Sequence, residues 1–190
     1  MAHPRWSGGL CRDAGSRAHP DAMKLLVTYG SKLGGTEGLA EMIGNSLRRA
    51  GFDVDVQPAH QVASIGGYDA VIVGGALYAS RWHRDAARFV RRHRGELRDR
   101  PVWLFSSGPL DESAENKEIA PVGQVRKLMR QIDAAGHQTF GGRLAPDADG
   151  FIARSMAKKL SGDWRSPQHV ARWTAEILDH LARTCQQPAS

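Results

Sequence analysis

Apolar residues along this chain follow two alternating rhythms. Leu25 to Tyr29, Asp69 to Gly75 and Pro101 to Ser107 are short, almost unbroken apolar runs, the pattern of strands buried on both faces of a sheet. Between and after them, apolar side chains recur every three or four residues. Leu39, Met42, Ile43, Leu47 and Ala50 form one such stripe, and Trp82, Ala86, Phe89, Val90 and Leu97 a second. Val122, Val125, Leu128, Met129 and Ile132 form a third, and Val170, Trp173, Ile177, Leu178 and Leu181 a fourth. That spacing predicts four helices with one buried face each. Gly51 to Gln57 alternates Phe52, Val54 and Val56 with Asp53, Asp55 and Gln57, which predicts a half-buried edge strand.

The remaining segments follow from local chemistry. His137 to Gly142 is a short fifth strand, and Asp111 to Glu118 an acidic loop. Pro121 suits the first turn of the third helix, Gly136 is expected to stop it, and Ser166-Pro167 to cap the fourth. Residues 143–165 read as an insert holding "FIARSMAKKL", expected to pack over the sheet. Strands alternating with helices predict an α/β fold with a parallel sheet, right-handed crossovers and helices on both faces. The loops at the carboxyl ends of its strands then meet at one crevice.

One of those loops stands out. In "KLLVTYGSKLGGTEGLAEMIGNSLRRA", Lys24 to Ala50, the first strand leads into a loop rich in glycine and hydroxyls and then directly into a helix. First-turn amides have no partner within the helix, and the helix dipole is positive at that end, so the arrangement suits a phosphate. No Lys-Ser or Lys-Thr follows Gly35, which excludes a nucleoside-triphosphate loop. Glycines at 30, 34, 35 and 38 do not make the dinucleotide fingerprint either. "YGSKLGGTE" instead resembles the flavodoxin loop, which wraps the terminal phosphate of FMN.

The resemblance implies a flavodoxin-like doubly wound five-stranded parallel sheet of order 2-1-3-4-5. By position it gives the phosphate to Ser31, Lys32, Leu33, Gly34, Gly35 and Thr36, with Leu33 standing where flavodoxins often carry a hydroxyl. Ala76, Leu77 and Tyr78 would flank one side of the flavin ring, Tyr78 stacking on it, and Ser106, Ser107 and Gly108 the other. More narrowly, "VIVGGALYASRWHRDAARFVRRH", "GGRLAPDADGFIARSMAKKLSGDWRS" and "ARWTAEI" resemble the flavodoxin-type, menaquinone-dependent protoporphyrinogen oxidases and their actinobacterial relatives. That likeness implies an FMN-dependent oxidoreductase with an anionic tetrapyrrole substrate and a quinone acceptor. The loop "SSGPLDESAEN" departs from that family's equivalent. The alternative is an electron-transfer or FMN-binding module without a substrate of its own.

Composition adds three constraints. The 190 residues, 41% hydrophobic, are enough for one domain, expected over residues 23–184 between a disordered tail at 1–22 and a short tail at 185–190. The two cysteines, Cys11 and Cys185, have no metal or redox spacing, so a reducing cytoplasm is expected and no metal site. The net charge is +6, and Arg81 to Arg100 alone holds eight arginines against Asp85, Glu96 and Asp99. Flavodoxin electron carriers are usually acidic, so the balance disfavours that role. A basic stripe suits an anionic substrate or peripheral contact with an anionic membrane. Nucleic acid is not expected, because no recognition motif or aromatic platform accompanies the arginines.

Overall fold

The computed structural model describes residues 23–32, 34–111, 113–144 and 162–186. The expected tail at 1–22, the phosphate-loop residue Leu33 and the "FIARSMAKKL" segment lie outside the described residues. Five parallel strands form the main sheet: β1 (Lys24–Gly30), β2 (Asp53–Pro58), β3 (Ala70–Tyr78), β5 (Val102–Ser107) and β6 (Gly136–Phe140). Their spatial order is β2-β1-β3-β5-β6, the 2-1-3-4-5 order expected, since a short hairpin strand, β4 (Arg81–Trp82), adds to the count. The helices are α1 (Gly35–Arg49), α2 (Arg84–Arg92), α3 (Arg94–Arg98), α4 (Ser113–Asn116), α5 (Gly123–Ile132) and α6 (Pro167–Gln186). No described helix is long and apolar enough to cross a membrane.

Alternation along the strands divides the core in two. Leu25, Val27, Trp103 and Phe105 face α1 and α6, while Leu26, Val71, Val73 and Leu104 face α2, α3 and α5. On the first face Phe105, Phe140 and Trp173 meet edge to face, their centroids 5.5–6.2 Å apart. The Phe105 ring covers Gly74, where no side chain would fit. At the β2 edge the alternation survives as expected, with Val54 buried and Asp53 exposed.

Three boundaries differ from the sequence expectation, each for a local reason. Trp82 is in β4 rather than in the following helix, because His83 breaks the helical pattern and caps α2, its Nδ1 accepting from the Asp85 N–H at 3.3 Å. A second break at His93 divides the arginine-rich segment into α2 and α3. The third helix ends at Asp133, which takes the left-handed conformation at φ 50°, so Gly136 opens a strand and does not stop a helix. Ser166 caps α6 as expected, its hydroxyl accepting from the His169 N–H at 3.2 Å.

Candidate functional site

The strand order reverses between β1 and β3, so the loops after these two strands diverge and open a crevice at their carboxyl ends. Gly30 pairs with Gly75 at its floor. Three loops rim it: the described residues 31, 32 and 34 before α1, the turn joining β3 to β4, and the segment from Ser107 to Leu110. Their mutual contacts are close. The Lys32 backbone lies against the Tyr78 phenol, and partly offsets the rise in its pKa that burial causes. A methyl group on Gly108 would stand 3.2 Å from Leu77 Cδ1. Apart from Ser106, the expected phosphate and ring residues that are described therefore gather around one opening.

The first loop ends in an open helix start. Gly34, in the left-handed conformation at φ 75°, is the residue before α1, and no side chain caps the helix. A side chain at this position would strain the backbone. The first-turn amides that a Ser or Asp cap would bind are left to other partners. Beside them, Thr36 Oγ1 is buried with no hydrogen-bond partner among the described residues. A buried hydroxyl without a partner costs about 1–3 kcal/mol, so its presence here calls for a partner beyond the described residues, a role a bound anion fits. Glu37, in the same turn, is engaged elsewhere, its carboxylate accepting from the Tyr29 hydroxyl at 2.9 Å. Burial and that carboxylate push the Tyr29 pKa up to about 12, so Tyr29 remains a donor.

Two arginines that sequence reasoning missed approach this helix start. Strands β7 (Arg143–Leu144) and β8 (Gly162–Asp163) form a small antiparallel ribbon, Arg143 opposite Asp163. The Arg143 backbone packs on Gly35, its carbonyl oxygen 3.2 Å from where a Cβ would sit. Arg165 lays its guanidinium on Gly38 and holds Asp163 with two bonds of 2.7 and 2.5 Å. Glycine at 35 and 38 permits this approach along one face of α1. The Asp163–Arg165 spacing was the one signal available in the sequence.

The second loop is a tight hairpin. Leu77 pairs with Trp82 and Tyr78 with Arg81, leaving Ala79 and Ser80 as a two-residue turn with φ 47° and 59°. Both angles positive are what a hairpin turn of this type requires, usually met by Asn-Gly. Non-glycine residues there store strain, a feature concentrated at functional sites. Trp82 anchors the hairpin from below: it is buried, and its indole would lie 2.5 Å from a methyl group on Gly75. The Gln124 side chain holds β4 from the other side, accepting from the Trp82 N–H at 3.0 Å. Tyr78, at the turn, is 41% exposed, the one large apolar side chain so exposed among the described residues. His83 stands next to it, ring centroids 6.4 Å apart, with burial holding its pKa below the usual value.

The third loop offers less than expected. Ser106 turns away from the crevice: it is buried, and its hydroxyl shares a 2.9 Å hydrogen bond with His137 Nε2. The Gly108 N–H already donates to the Phe140 carbonyl at 3.0 Å, which removes it from the groups a ligand could use. Ala76 and Ser107 pair across β3 and β5 and are buried at the crevice floor.

His137 gives the site's edge a pH dependence. Burial lowers its pKa to about 4, and its Nδ1 is buried without a partner among the described residues. Below the ordinary histidine value of 6.5 the unfolded chain takes up a proton that the folded ring resists. Stability is therefore full above pH 6.5 and falls as pH drops towards about 4, by roughly 1–3 kcal/mol from this residue. His83, His169 and His180, also lowered by burial, add in the same sense. In His137→Gln, which keeps a partner for Ser106, the urea midpoint should fall less steeply between these pH values. An unchanged slope would remove His137 from the account.

Among the described residues, no three His, Cys, Asp or Glu side chains come together as metal ligands. An open helix start, a glycine-shaped loop and an exposed aromatic beside a crevice define an α/β protein built to hold a phosphorylated, flat ligand. The family model described as "Flavodoxin domain" matches residues 26–165, and the chain belongs to that family.

Individual relatives are distant but span most of the chain. The protoporphyrinogen IX dehydrogenase [quinone] of Escherichia coli (strain K12) is 23% identical over 176 residues, covering 83% of this chain and 97% of that protein. A flavodoxin of Nitratidesulfovibrio vulgaris is 26% identical over 168 residues, 83% of this chain and 98% of its own. Among solved structures, a Fusobacterium nucleatum flavodoxin variant bound to flavin mononucleotide superposes with a TM-score of 0.53 at 14% identity, over 83% of this chain and 96% of the other.

Proposed function

We propose that this protein binds FMN in the crevice and uses it to move electrons from an anionic tetrapyrrole-like substrate to a quinone. The observation that carries the cofactor reading is the buried Thr36 hydroxyl at the uncapped start of α1, without a partner among the described residues. Ser31, Lys32, Leu33, Gly34, Gly35 and Thr36 hold the phosphate, Thr36 through its hydroxyl, the glycines through their amides and Lys32 by charge. Ala76, Leu77 and Tyr78 cover one side of the ring, with Tyr78 stacked on it, and Ser107 and Gly108 close the other side. Ser106 supports the wall from behind through His137. FMN, once bound, accepts two electrons from one partner and passes them to another.

The enzymatic reading draws on the Escherichia coli relative, matched over 97% of its own length, and on the basic character of this chain. Lys32 adds positive charge beside the helix start, and Arg143 and Arg165, sharing the single carboxylate of Asp163, leave a net positive charge on the neighbouring ribbon, suited to an anion near it. Oxidation of the substrate releases two electrons and two protons for each quinone reduced to quinol, so the account balances without a further reactant. We further place the protein in the cytoplasm, with transient membrane contact where the quinone is met.

The test is anaerobic turnover of protoporphyrinogen by the FMN-loaded full chain with menadione as acceptor. Substrate oxidation that depends on both FMN and quinone is expected. A flavin that cycles with a reductase while leaving the tetrapyrrole untouched would favour the electron-transfer module, the reading to which the Nitratidesulfovibrio relative points.

A further inference from the structure

The eight arginines of the Arg81–Arg100 segment have different tasks, and Arg81 and Arg88 have no side-chain partner among the described residues. Arg92 and Arg100 reach back across the core edge, Arg92 to the Val62 carbonyl and Arg100 to the carbonyls of Ile65 and Tyr68. Arg84 and Arg98 pair with Asp85 and Asp133. Arg91 and Arg94 do neither. They line one wall of a groove of about 310 Å³, and α5 supplies the other wall through Gln124, Lys127, Leu128 and Gln131. These four α5 residues follow helical spacing, so one face of that helix is turned to the groove.

No acid lines the groove, and none of Arg91, Arg94 and Lys127 has an ion-pair partner among the described residues. A solvated helix face needs no such arrangement, because surface cations normally sit among acids or splay into water. Three like charges around one concavity repel one another, and an anion between them removes that cost. The uncharged lining also donates hydrogen bonds. Gln124 Oε1 is occupied by the Trp82 N–H, so its amide nitrogen, without a partner among the described residues, is the group left for a ligand. Gln131, one turn beyond Lys127, adds a second amide.

We propose that this groove is a second anion site, separate from the FMN loop, and that it takes a phosphate-bearing group of about pyrophosphate size. Guanidinium groups bind phosphate oxygens in pairs, the ammonium adds a point charge, and side-chain amides complete the shell. The same chemistry is offered by a soluble di- or oligophosphate and by the phosphomonoester headgroup of a lipid such as phosphatidic acid. The site is on the α2/α3–α5 face, whereas the first turn of α1 packs with the β7–β8 ribbon on the other face of the sheet.

The experiment uses the full chain at low ionic strength, titrated calorimetrically with inorganic pyrophosphate, and in parallel sedimented with phosphatidylcholine vesicles with and without phosphatidic acid. The double variant Arg91→Gln/Arg94→Gln should lose at least tenfold in affinity for one or both probes, and the affinity should fall as salt rises. The control Arg49→Gln/Arg172→Gln removes the same charge from helices on the opposite face and should change affinity less than twofold. With the chain saturated with FMN, so that the α1 loop is occupied, Thr36→Val should leave pyrophosphate binding unchanged. Loss of pyrophosphate binding alone identifies a soluble phosphate, loss of vesicle binding alone a lipid headgroup, and either result supports the site. The proposal is overturned if neither probe binds, if the control loses as much as the groove variant, or if Thr36→Val abolishes pyrophosphate binding while the groove variant keeps it. That last pattern would put the anion in the α1 loop and leave the FMN reading intact.

Discussion

Thr36→Val should weaken FMN binding by about tenfold to a hundredfold, the loss of one hydrogen bond to a charged group, worth roughly 1–3 kcal/mol. Valine keeps the shape of threonine, and Thr36 is buried, so the loop backbone has little reason to move. The loss should be confined to ligands that carry the phosphate. Riboflavin, which offers the same ring without it, should bind the variant and the natural chain equally well. Because the hydroxyl has no partner within the described chain, removing it should also leave the ligand-free protein as stable as before, or slightly more so. Equal losses for FMN and riboflavin would mean that the substitution distorts the loop.

Trp82→Ala should produce the largest loss of stability, about 3–5 kcal/mol, typical of a buried tryptophan cut back to a methyl group. Trp82 is packed among Val73, Ala86, Val125 and other residues of the α2–α5 face, and its indole covers Gly75. Its loss leaves a cavity that the sheet cannot close, since Gly75 has no side chain to fill it. The strained Ala79-Ser80 turn loses its anchor at the same time, so Tyr78 should no longer be held at the crevice. The expected result is a large drop in the urea midpoint together with weaker riboflavin binding. Trp82→Phe separates the two contributions. It keeps most of the packing and removes the buried indole N–H, which has no partner among the described residues, so it should cost far less. A mild effect of Trp82→Ala would show that the hairpin is held mainly by Gln124.

The sheet was legible because its strands are buried on both faces. Leu25 to Tyr29, Thr28 apart, and Val71 to Val73 are apolar throughout, as a strand between two helical layers requires. The α1 loop was legible for the opposite reason: Gly34, Gly35 and Thr36 are poor choices for a plain connection and good ones for an anion site. What escaped was settled by contacts rather than by local chemistry. Ala79 and Ser80 carry no turn signal of their own, and their positive φ values are imposed by the pairing of Leu77 with Trp82. The same pairing took Trp82 out of a helical stripe that its spacing fitted well. Arg143 and Asp163 meet across an insert whose sequence does not announce a ribbon. Ser106 followed strand alternation into the protein, where His137 was waiting for it, although the loop pattern alone put it at the crevice.

Direct titration tests whether the crevice holds FMN. The full chain, stripped of bound flavin, is titrated with FMN, FAD and riboflavin while flavin fluorescence and the visible absorbance spectrum are followed. FMN should bind with one equivalent per chain, with quenched fluorescence and a perturbed spectrum, as expected of a ring stacked on Tyr78. Riboflavin should bind more weakly by the contribution of the phosphate, and FAD should bind poorly. A protein that leaves the FMN spectrum unchanged, or one that prefers FAD, would contradict the account.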